Sequence, residues 1–343
     1  MANQNFQSFN TYKIDPLTEI RNAGLITNGD VYWVSSVSDS LHRKRTDQLG
    51  RKVVKVTVQA AVADAKTNNN DYIMVIPTDG GTVVPLGTAI DVNKNRLHIL
   101  GVGGKPAPMG YNGLTFQGFV SANGIDTELM AVTGAGCEVG GIKLLGTSGT
   151  ADLGTITAHL LIGTASSGTP HDLWVHDVHI ENTQAAAANG TTDIVSITGN
   201  VAGGITGIRF ERCWLGNWNW APSAIVRMGG TAGPTRAGFY NTKFIMDAQA
   251  TTDKFTVLGT GQTEYTWFES CDFVNVEAGT LPASVHTGAI LVDNPAILKN
   301  CTYVNVTAAG TDTEAYKVPS FSGTQAAMFD LGIANGTAAV IPA

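Results

Sequence analysis

Residues 208–215 read IRFERCWL, and the same eight-residue template occurs at 173–180 (LWVHDVHI), 237–244 (AGFYNTKF), 266–273 (TWFESCDF) and 296–303 (AILKNCTY). Each copy has an apolar leader, two polar or small residues, a compact residue, one further residue and an apolar closer. The leaders are Val175, Phe210, Phe239, Phe268 and Leu298, and they step by 35, 29, 29 and 30 residues. The compact positions hold Val178, Cys213, Thr242, Cys271 and Cys301. The closers are Ile180, Leu215, Phe244, Phe273 and Tyr303. A fixed period in this range marks a stacked repeat. The short alternation inside each unit, without a helical period, makes the repeat a coil of β-strands. Stacking sets like residues on like residues, one strand spacing (~4.8 Å) apart.

A second ladder keeps the same register. Short apolar strands follow each template: Asp193-IVSITG, Ala224-IVRMGG, Lys254-FTVLGT and Ala289-ILVDN, with Ala327-MFDLG as a fifth candidate. Val139-GGIKL and Lys94-NRLHI fit the first template more loosely. About seven coils are expected, each with at least two strands and one longer connection rich in Gly, Thr, Asn and Ala.

Upstream, Thr57-VQAAVADAK reads as a short helix with Thr57 as N-cap. Tyr72-IMVIP is a strand, followed by a Gly turn, Ala89-IDV and Leu97-HILGVGG. Together with the repeat, this pattern resembles the right-handed parallel β-helix of pectate-lyase-like proteins and of phage tail and capsid proteins. The resemblance covers about residues 53 to 332. It implies an all-β solenoid with an N-terminal extended arm and a short capping helix. It implies no activity, because this scaffold hosts many functions. The expected organisation is an arm over 1–52, the β-helix over 53–332 and a tail over 333–343.

Composition agrees with strands joined by tight turns. Charged residues make up 14% of the chain and glycines number 40 among 343 residues. Four cysteines in a chain of this length are not a disulfide framework. Cys213, Cys271 and Cys301 share an inward column, where they read as small hydrophobes in a core. They lack the spacing of a zinc site. No apolar run approaches a membrane span. The start, MANQNFQSFNTYKIDP, has no basic segment followed by an apolar core, so export is not expected. A β-helix made in the host cytoplasm and released with the particle fits this better than a secreted lyase.

Charge is uneven. Residues 1–56 carry eight Lys/Arg and five Asp/Glu, a net of +3, and the remainder carries 13 and 23, a net of −10. The arm's basic cluster of Arg43, Lys44 and Arg45 lacks the charge density and interleaved aromatics of a nucleic-acid site. Its scattered Phe6, Phe9 and Tyr12 cannot build a core of their own. They are candidate attachment residues, ordered on a partner's groove.

In the template, the residues between leader and compact position face outward. One column holds His176, Glu211, Tyr240, Glu269 and Lys299, and the next holds Asp177, Arg212, Asn241, Ser270 and Asn300. A third outward column holds His179, Trp214, Lys243, Asp272 and Thr302. Glu211 and Glu269 stand two rungs apart, ~9.6 Å along the axis. That is near the upper limit for the two acids of an inverting glycosidase. Asp272 is the candidate neighbour to perturb Glu269. The competing reading is a mixed polar face, and no residue is assigned to catalysis. His176 and His179, at i and i+3 of a strand, would point to opposite faces and not to one metal. No metal or cofactor is expected.

Trp214, Trp218 and Trp220 crowd into CWLGNWNW. They suit a sugar-stacking platform or a subunit interface, with the interface preferred. The expected protein is a non-enzymatic component of a tailed-phage virion, a capsid decoration protein, and a homotrimer that contacts other virion proteins such as the major capsid protein. The alternative is a tailspike that binds or depolymerises surface polysaccharide. Neither nucleic acid nor membrane is an expected partner.

Overall fold

The computed structural model describes residues 29–34, 54–75, 83–86, 89–101, 115–119, 128–147, 158–163, 170–182, 193–199, 205–218, 224–230, 236–247, 254–258, 265–276, 286–287, 296–304, 317–318 and 326–327. The architecture is a right-handed parallel β-helix with three sheets. Sheet A runs β2 (Val54–Lys55), β1 (Val31–Val34), β3 (Asp71–Val75), β6 (Leu97–Gly101), β9 (Glu138–Gly140), β12 (Trp174–His176), β15 (Ile208–Glu211), β18 (Arg236–Tyr240), β21 (Tyr265–Glu269) and β24 (Ala296–Lys299). Sheet B runs β4 (Val83–Leu86), β7 (Thr115–Phe119), β10 (Lys143–Thr147), β13 (His179–Asn182), β16 (Trp214–Gly216), β19 (Lys243–Met246), β22 (Asp272–Asn275) and β25 (Thr302–Val304). Sheet C runs β5 (Ile90–Val92), β8 (Glu128–Val132), β11 (Ala158–Ile162), β14 (Asp193–Gly199), β17 (Ala224–Gly230), β20 (Lys254–Leu258) and β23 (His286–Thr287). The chain passes from A to B to C and back to A. Among the described residues this makes seven three-strand coils, starting at β3, and an eighth with two strands.

The template is therefore not one strand but two strands and a corner. The leader ends up on sheet A and the closer on sheet B. A straight strand would point residues i and i+3 to opposite faces. Both are buried here because the intervening residue bends the chain through positive φ. Asp177, Arg212, Asn241, Ser270 and Asn300 have φ between 49° and 55°, with values of 52°, 52°, 49°, 55° and 55°. Their N–H groups donate up the column: Asp177 to the Glu211 carbonyl (3.0 Å), Arg212 to Tyr240 (2.9 Å), Asn241 to Glu269 (2.9 Å) and Ser270 to Lys299 (2.8 Å). Each of these four corners is thus fixed by the coil that follows it.

The inward ladders are as the repeat requires. Val175, Phe210, Phe239 and Phe268 are fully buried, as are Ile180, Leu215, Phe244 and Phe273. Leu298 pairs with Phe268 and Tyr303 with Phe273. The side chains of Leu298 and Tyr303 lie outside the described residues. Phe210, Phe239 and Phe268 stack with centroids 4.9 and 5.0 Å apart, and Phe244 stacks on Phe273 at 4.7 Å. The matching positions in earlier coils are the aliphatic Ile73, Ile99 and Val139, so the core changes from aliphatic to aromatic along the axis. The compact column behaves as core: the Cys213 and Cys271 thiols donate to the carbonyls of Val175 (3.5 Å) and Phe239 (3.4 Å). Burial pushes the Cys213 thiol up to about 12, which leaves it inert at neutral pH.

At the N-terminal end, α1 (Val58–Asp64) buries Val58, Ala61 and Val62 against the first coil. Thr57 caps it, its hydroxyl accepting from the Ala60 N–H at 3.1 Å. Val31–Val34, the one compact strand candidate within the span read as the arm, forms β1, buried within sheet A between β2 and β3. The buried Asp71 carboxylate ties this region together, accepting from the N–H groups of Asp30 (2.7 Å) and Lys66 (2.8 Å). The rest of the expected arm, with Phe6, Phe9, Tyr12, Arg43, Lys44 and Arg45, lies outside the described residues.

Other expectations shift. The first three strands of the second ladder are β14, β17 and β20 of sheet C. The next sheet C strand is His286–Thr287, paired with Thr256–Val257, and 289–294 lies outside the described residues. Ala326–Ala327 (β27) pairs antiparallel with Lys317–Val318 (β26), and the rest of the fifth candidate, 328–332, lies outside the described residues. Among the described residues, no helix is long and apolar enough to cross a membrane.

Two outcomes are expected from this packing. Phe239→Ala removes the middle ring of the stack and should cost roughly 3–5 kcal/mol, read as a lower urea midpoint at unchanged slope. Ser270→Val places a β-branched residue in a left-handed corner and should cost roughly 1–2 kcal/mol, while Ser270→Gly should cost less.

Candidate functional site

The outward face of sheet A carries two columns of chemistry-bearing side chains, because alternate residues of each strand point away from the core. The first runs Tyr72, His98, Glu138, Trp174, Arg209, Gly238 and Trp267. The second runs Leu100, Gly140, His176, Glu211, Tyr240, Glu269 and Lys299. Residues 20 to 40 positions apart in the chain thus become neighbours.

The N-terminal part of this face is a continuous charged chain. Glu138 is buried and lies between two imidazoles, with His98 Nδ1 at 2.7 Å and His176 Nε2 at 2.9 Å. His176 Nδ1 lies 2.9 Å from Asp177. Arg212 grips Asp177 with two parallel bonds of 2.9 Å and also pairs with Glu211. Glu211 pairs with Arg209 at 3.0 Å. Tyr72 stacks on His98 at 4.2 Å, and Trp174 covers His176 at 4.2 Å. Gly140 is required beneath the ring, since a Cβ there would lie 2.4 Å from His176.

The electrostatics follow from this geometry. Burial alone would raise the Glu138 carboxyl, but hydrogen bonds from His176 and His98 outweigh it and hold the group at about 2. Burial alone would lower His176, but Glu138 and Asp177 outweigh it and raise the imidazole above its ordinary value. With two ionised carboxylates on its two nitrogens, His176 is an imidazolium. Burial would raise Asp177 too, and Arg212 and His176 hold it down.

The C-terminal part is more open. The Arg209 guanidinium stands 5.0 Å over the Tyr240 ring. That ring lies across Gly238, where a Cβ would meet it at 2.6 Å. Glu269 accepts from Trp267 Nε1 (3.1 Å) and Lys299 Nζ (2.7 Å), and Lys299 holds its carboxyl below the usual range. Glu211 and Glu269 do share a column, separated by Tyr240. Asp272 is not their neighbour on that face: it starts β22 on sheet B, where it pairs with Lys243 at 3.5 Å. His176 and His179 likewise face outward from two different sheets, not from opposite sides of one strand.

Sheet B has its own cluster. Glu181 pairs with Lys143 and with His179 at 3.0 Å. His179, Trp214, Lys243, Asp272 and Thr302 form the expected outward column. Trp214 is nevertheless buried, its Nε1 donating to the Gly216 carbonyl at 3.1 Å. Trp218 meets it edge-on at 5.4 Å and is 48% exposed. Trp220 lies outside the described residues. On sheet C, Asp193 is the one acid among the described residues whose carboxyl is raised: burial outweighs Arg227, whose Nε donates to it at 2.7 Å.

Sequence reasoning missed His98, Glu138, Trp174 and Arg209 as members of one surface. The available signal was the looser fit of the early coils, which sets Leu97–Gly101 and Glu138–Gly140 in register with Trp174–His176. Among the described residues, no group of three or more His, Cys, Asp or Glu is arranged to hold a metal.

The buried chain should govern pH stability. His176 is raised in the folded state, so its contribution is full below the unfolded value of 6.5 and is lost as pH rises through its folded value. Glu138 is depressed, so its contribution is full above 4.5 and is lost as pH falls towards about 2. Glu138→Ala should cost roughly 3 kcal/mol at neutral pH. His176→Gln should flatten the alkaline limb of a plot of melting temperature against pH, with a smaller effect on the acid limb.

No family model matches the chain, and no curated protein matches it. Among solved structures it is similar to a pectin methylesterase mutant in complex with a hexasaccharide, with a TM-score of 0.47 and 12% identity over 87% of each chain. It is similar to pectin methylesterase in complex with another hexasaccharide, with a TM-score of 0.40 and 13% identity over 87% of this chain and 74% of that one. A third is pectin methylesterase PemA from Erwinia chrysanthemi, with a TM-score of 0.40 and 11% identity over 84% of this chain and 91% of that one. These likenesses are of coiled parallel strands, and no residue role passes from them to this chain.

Proposed function

We propose that this protein is a non-enzymatic structural component of a tailed-phage virion, a capsid decoration protein that uses its β-helix as a rigid body. The observation that carries the non-enzymatic half is charge saturation. On sheets A and B, Glu138, Asp177, Glu181, Glu211, Glu269 and Asp272 each sit on a cationic or imidazole partner. The shifts among them that stand clear, at Glu138, Asp177, Glu181 and Glu269, are all downward. A general acid for glycoside cleavage needs the opposite shift. Asp193 has it, but Arg227 occupies one of its oxygens and the other is buried.

The virion half is supported by the resemblance to phage β-helices and by the charge contrast between residues 1–56 and the remainder. The basic, aromatic-bearing segment would fasten the body to an acidic partner such as the capsid shell. A homotrimer is the proposed assembly, since closed symmetry covers long coil faces. A tailspike is the second reading, favoured by the exposed indoles of Trp174 and Trp218.

Three measurements separate these readings. Purified particles should carry the protein in many copies, as judged by a stained gel, whereas a tailspike would be scarce. No polysaccharide cleavage is expected, and cleavage abolished by Glu211→Gln or Glu269→Gln would overturn the non-enzymatic assignment. Deletion of residues 1–28, which leaves β1 in place, should spare the fold and abolish rebinding to particles that lack the protein. Rebinding by the truncated chain would move attachment away from Phe6, Phe9 and Tyr12, to the basic cluster of Arg43, Lys44 and Arg45 or to the coil body.

A further inference from the structure

One column of sheet C places an imidazole where the neighbouring coils place hydrocarbon. The registers Ala158↔Asp193 and Leu160↔Val195, with their counterparts in the flanking coils, align Leu129, His159, Ile194, Ile225 and Phe255. All five side chains are fully buried. The apolar four belong to the continuous core, and Phe255 meets the Phe273 ring edge-on at 5.6 Å. Across the seam between β11 and β14, His159 Nδ1 donates to the Asp193 carbonyl at 3.3 Å.

The ionisable groups on the strands around β11 are engaged elsewhere. Lys143 of β10 and His179 and Glu181 of β13 form their own cluster on the outward face of sheet B. Glu128 of β8 and Asp193 of β14 flank Ala158, one residue before His159. The Asp193 carboxylate accepts from Arg227 Nε of β17 at 2.7 Å. Burial therefore dominates at His159, and the Asp193 carbonyl offsets only part of it, which leaves the imidazole at about 4. The neutral ring already makes the bond to that carbonyl, so a second proton adds nothing to it. It does take a charge out of water into an aliphatic core. The chain escapes this cost by separating β11 from β14 and letting the ring reach solvent, a local opening.

We infer that His159 is an acid-sensitive latch of sheet C: the seam between β11 and β14 is closed while the ring is neutral, and proton uptake opens it. The latch belongs to the coil body and does not depend on the virion assignment.

Linkage fixes its direction. The closed form takes the proton less readily than the open one, so the seam is firmest above 6.5 and weakens as pH falls towards about 4. Other shifted groups do not imitate this. Glu138 acts lower, between 4.5 and about 2. The raised values of His176 and Asp193 favour the folded chain in acid.

The test is hydrogen exchange of the full chain, read by mass spectrometry at about pH 7.5 and about pH 5 and corrected for the intrinsic pH dependence of amide exchange. Peptides covering Ala158–Ile162 and Asp193–Gly199 should lose protection by up to roughly tenfold per pH unit below 6.5. Peptides covering Arg236–Tyr240 and Tyr265–Glu269 of sheet A should keep theirs. His159→Leu, which repeats Leu129 of the coil before, should keep β11 and β14 protected at the lower pH. His159→Phe, which repeats Phe255, serves if the leucine variant does not fold. Unchanged protection of β11 and β14 between the two pH values overturns the inference, as does an equal loss in sheets A and C. It is also overturned if a folded His159→Leu or His159→Phe chain opens in acid as the wild type does. Should neither variant fold, the wild-type pattern decides by itself.

Discussion

From Gly141 onward, a left-handed residue at each corner between sheet A and sheet B shapes this molecule. Without it, the leader and the compact residue three positions later would face opposite sides of a strand. With it, the chain turns from sheet A to sheet B and sends both inward. The cost of a non-glycine residue in this conformation is roughly 1–2 kcal/mol, incurred at Asp177, Arg212, Asn241, Ser270 and Asn300. Asn and Asp are the non-glycine residues that bear it best, and they hold three of these five corners. The N–H groups of Asp177, Arg212, Asn241 and Ser270 also find a carbonyl on the next coil. The corner column is therefore both a bend and a ladder, and the registers of sheets A and B follow from it.

Once the corners are aligned, the interior follows by stacking. The leader and closer columns become continuous files of side chains, aliphatic in early coils and ring-on-ring from Phe210 to Phe268. Offset stacks of this kind add to simple burial. The same alignment acts on the outside, where it brings carboxylates and cations of different coils into pairs. His98, Glu138, His176 and Arg212 belong to four consecutive coils and are linked through Glu138 and Asp177. Breaking one link leaves a buried charge uncompensated, so the chain of pairs favours this register over a slipped one.

These pairs also bear on function. Glu138, Asp177, Glu181 and Glu269 are each held below their ordinary range by neighbouring imidazoles or cations, the opposite of what a general acid needs. The two glycines under His176 and Tyr240 show how local the arrangement is, since a methyl group at either would displace a ring.

Much of the fold was legible in the chain itself. The period of about thirty residues, the inward leaders, the compact cysteines and the Thr57 cap are all local patterns, and local patterns survive in sequence. Even the corner left a trace, because buried residues at i and i+3 do not fit one strand. What only the tertiary structure decided is everything that depends on the variable connections and on partners far apart in the chain. The third sheet, the insertion of Val31–Val34 between β2 and β3, and the pairing of His286–Thr287 into sheet C depend on pairing energies between distant segments. The outward face of sheet A was hidden for the same reason. Trp174 and Trp267 are ninety-three positions apart in sequence, and only the stacking of coils makes them two ends of one surface.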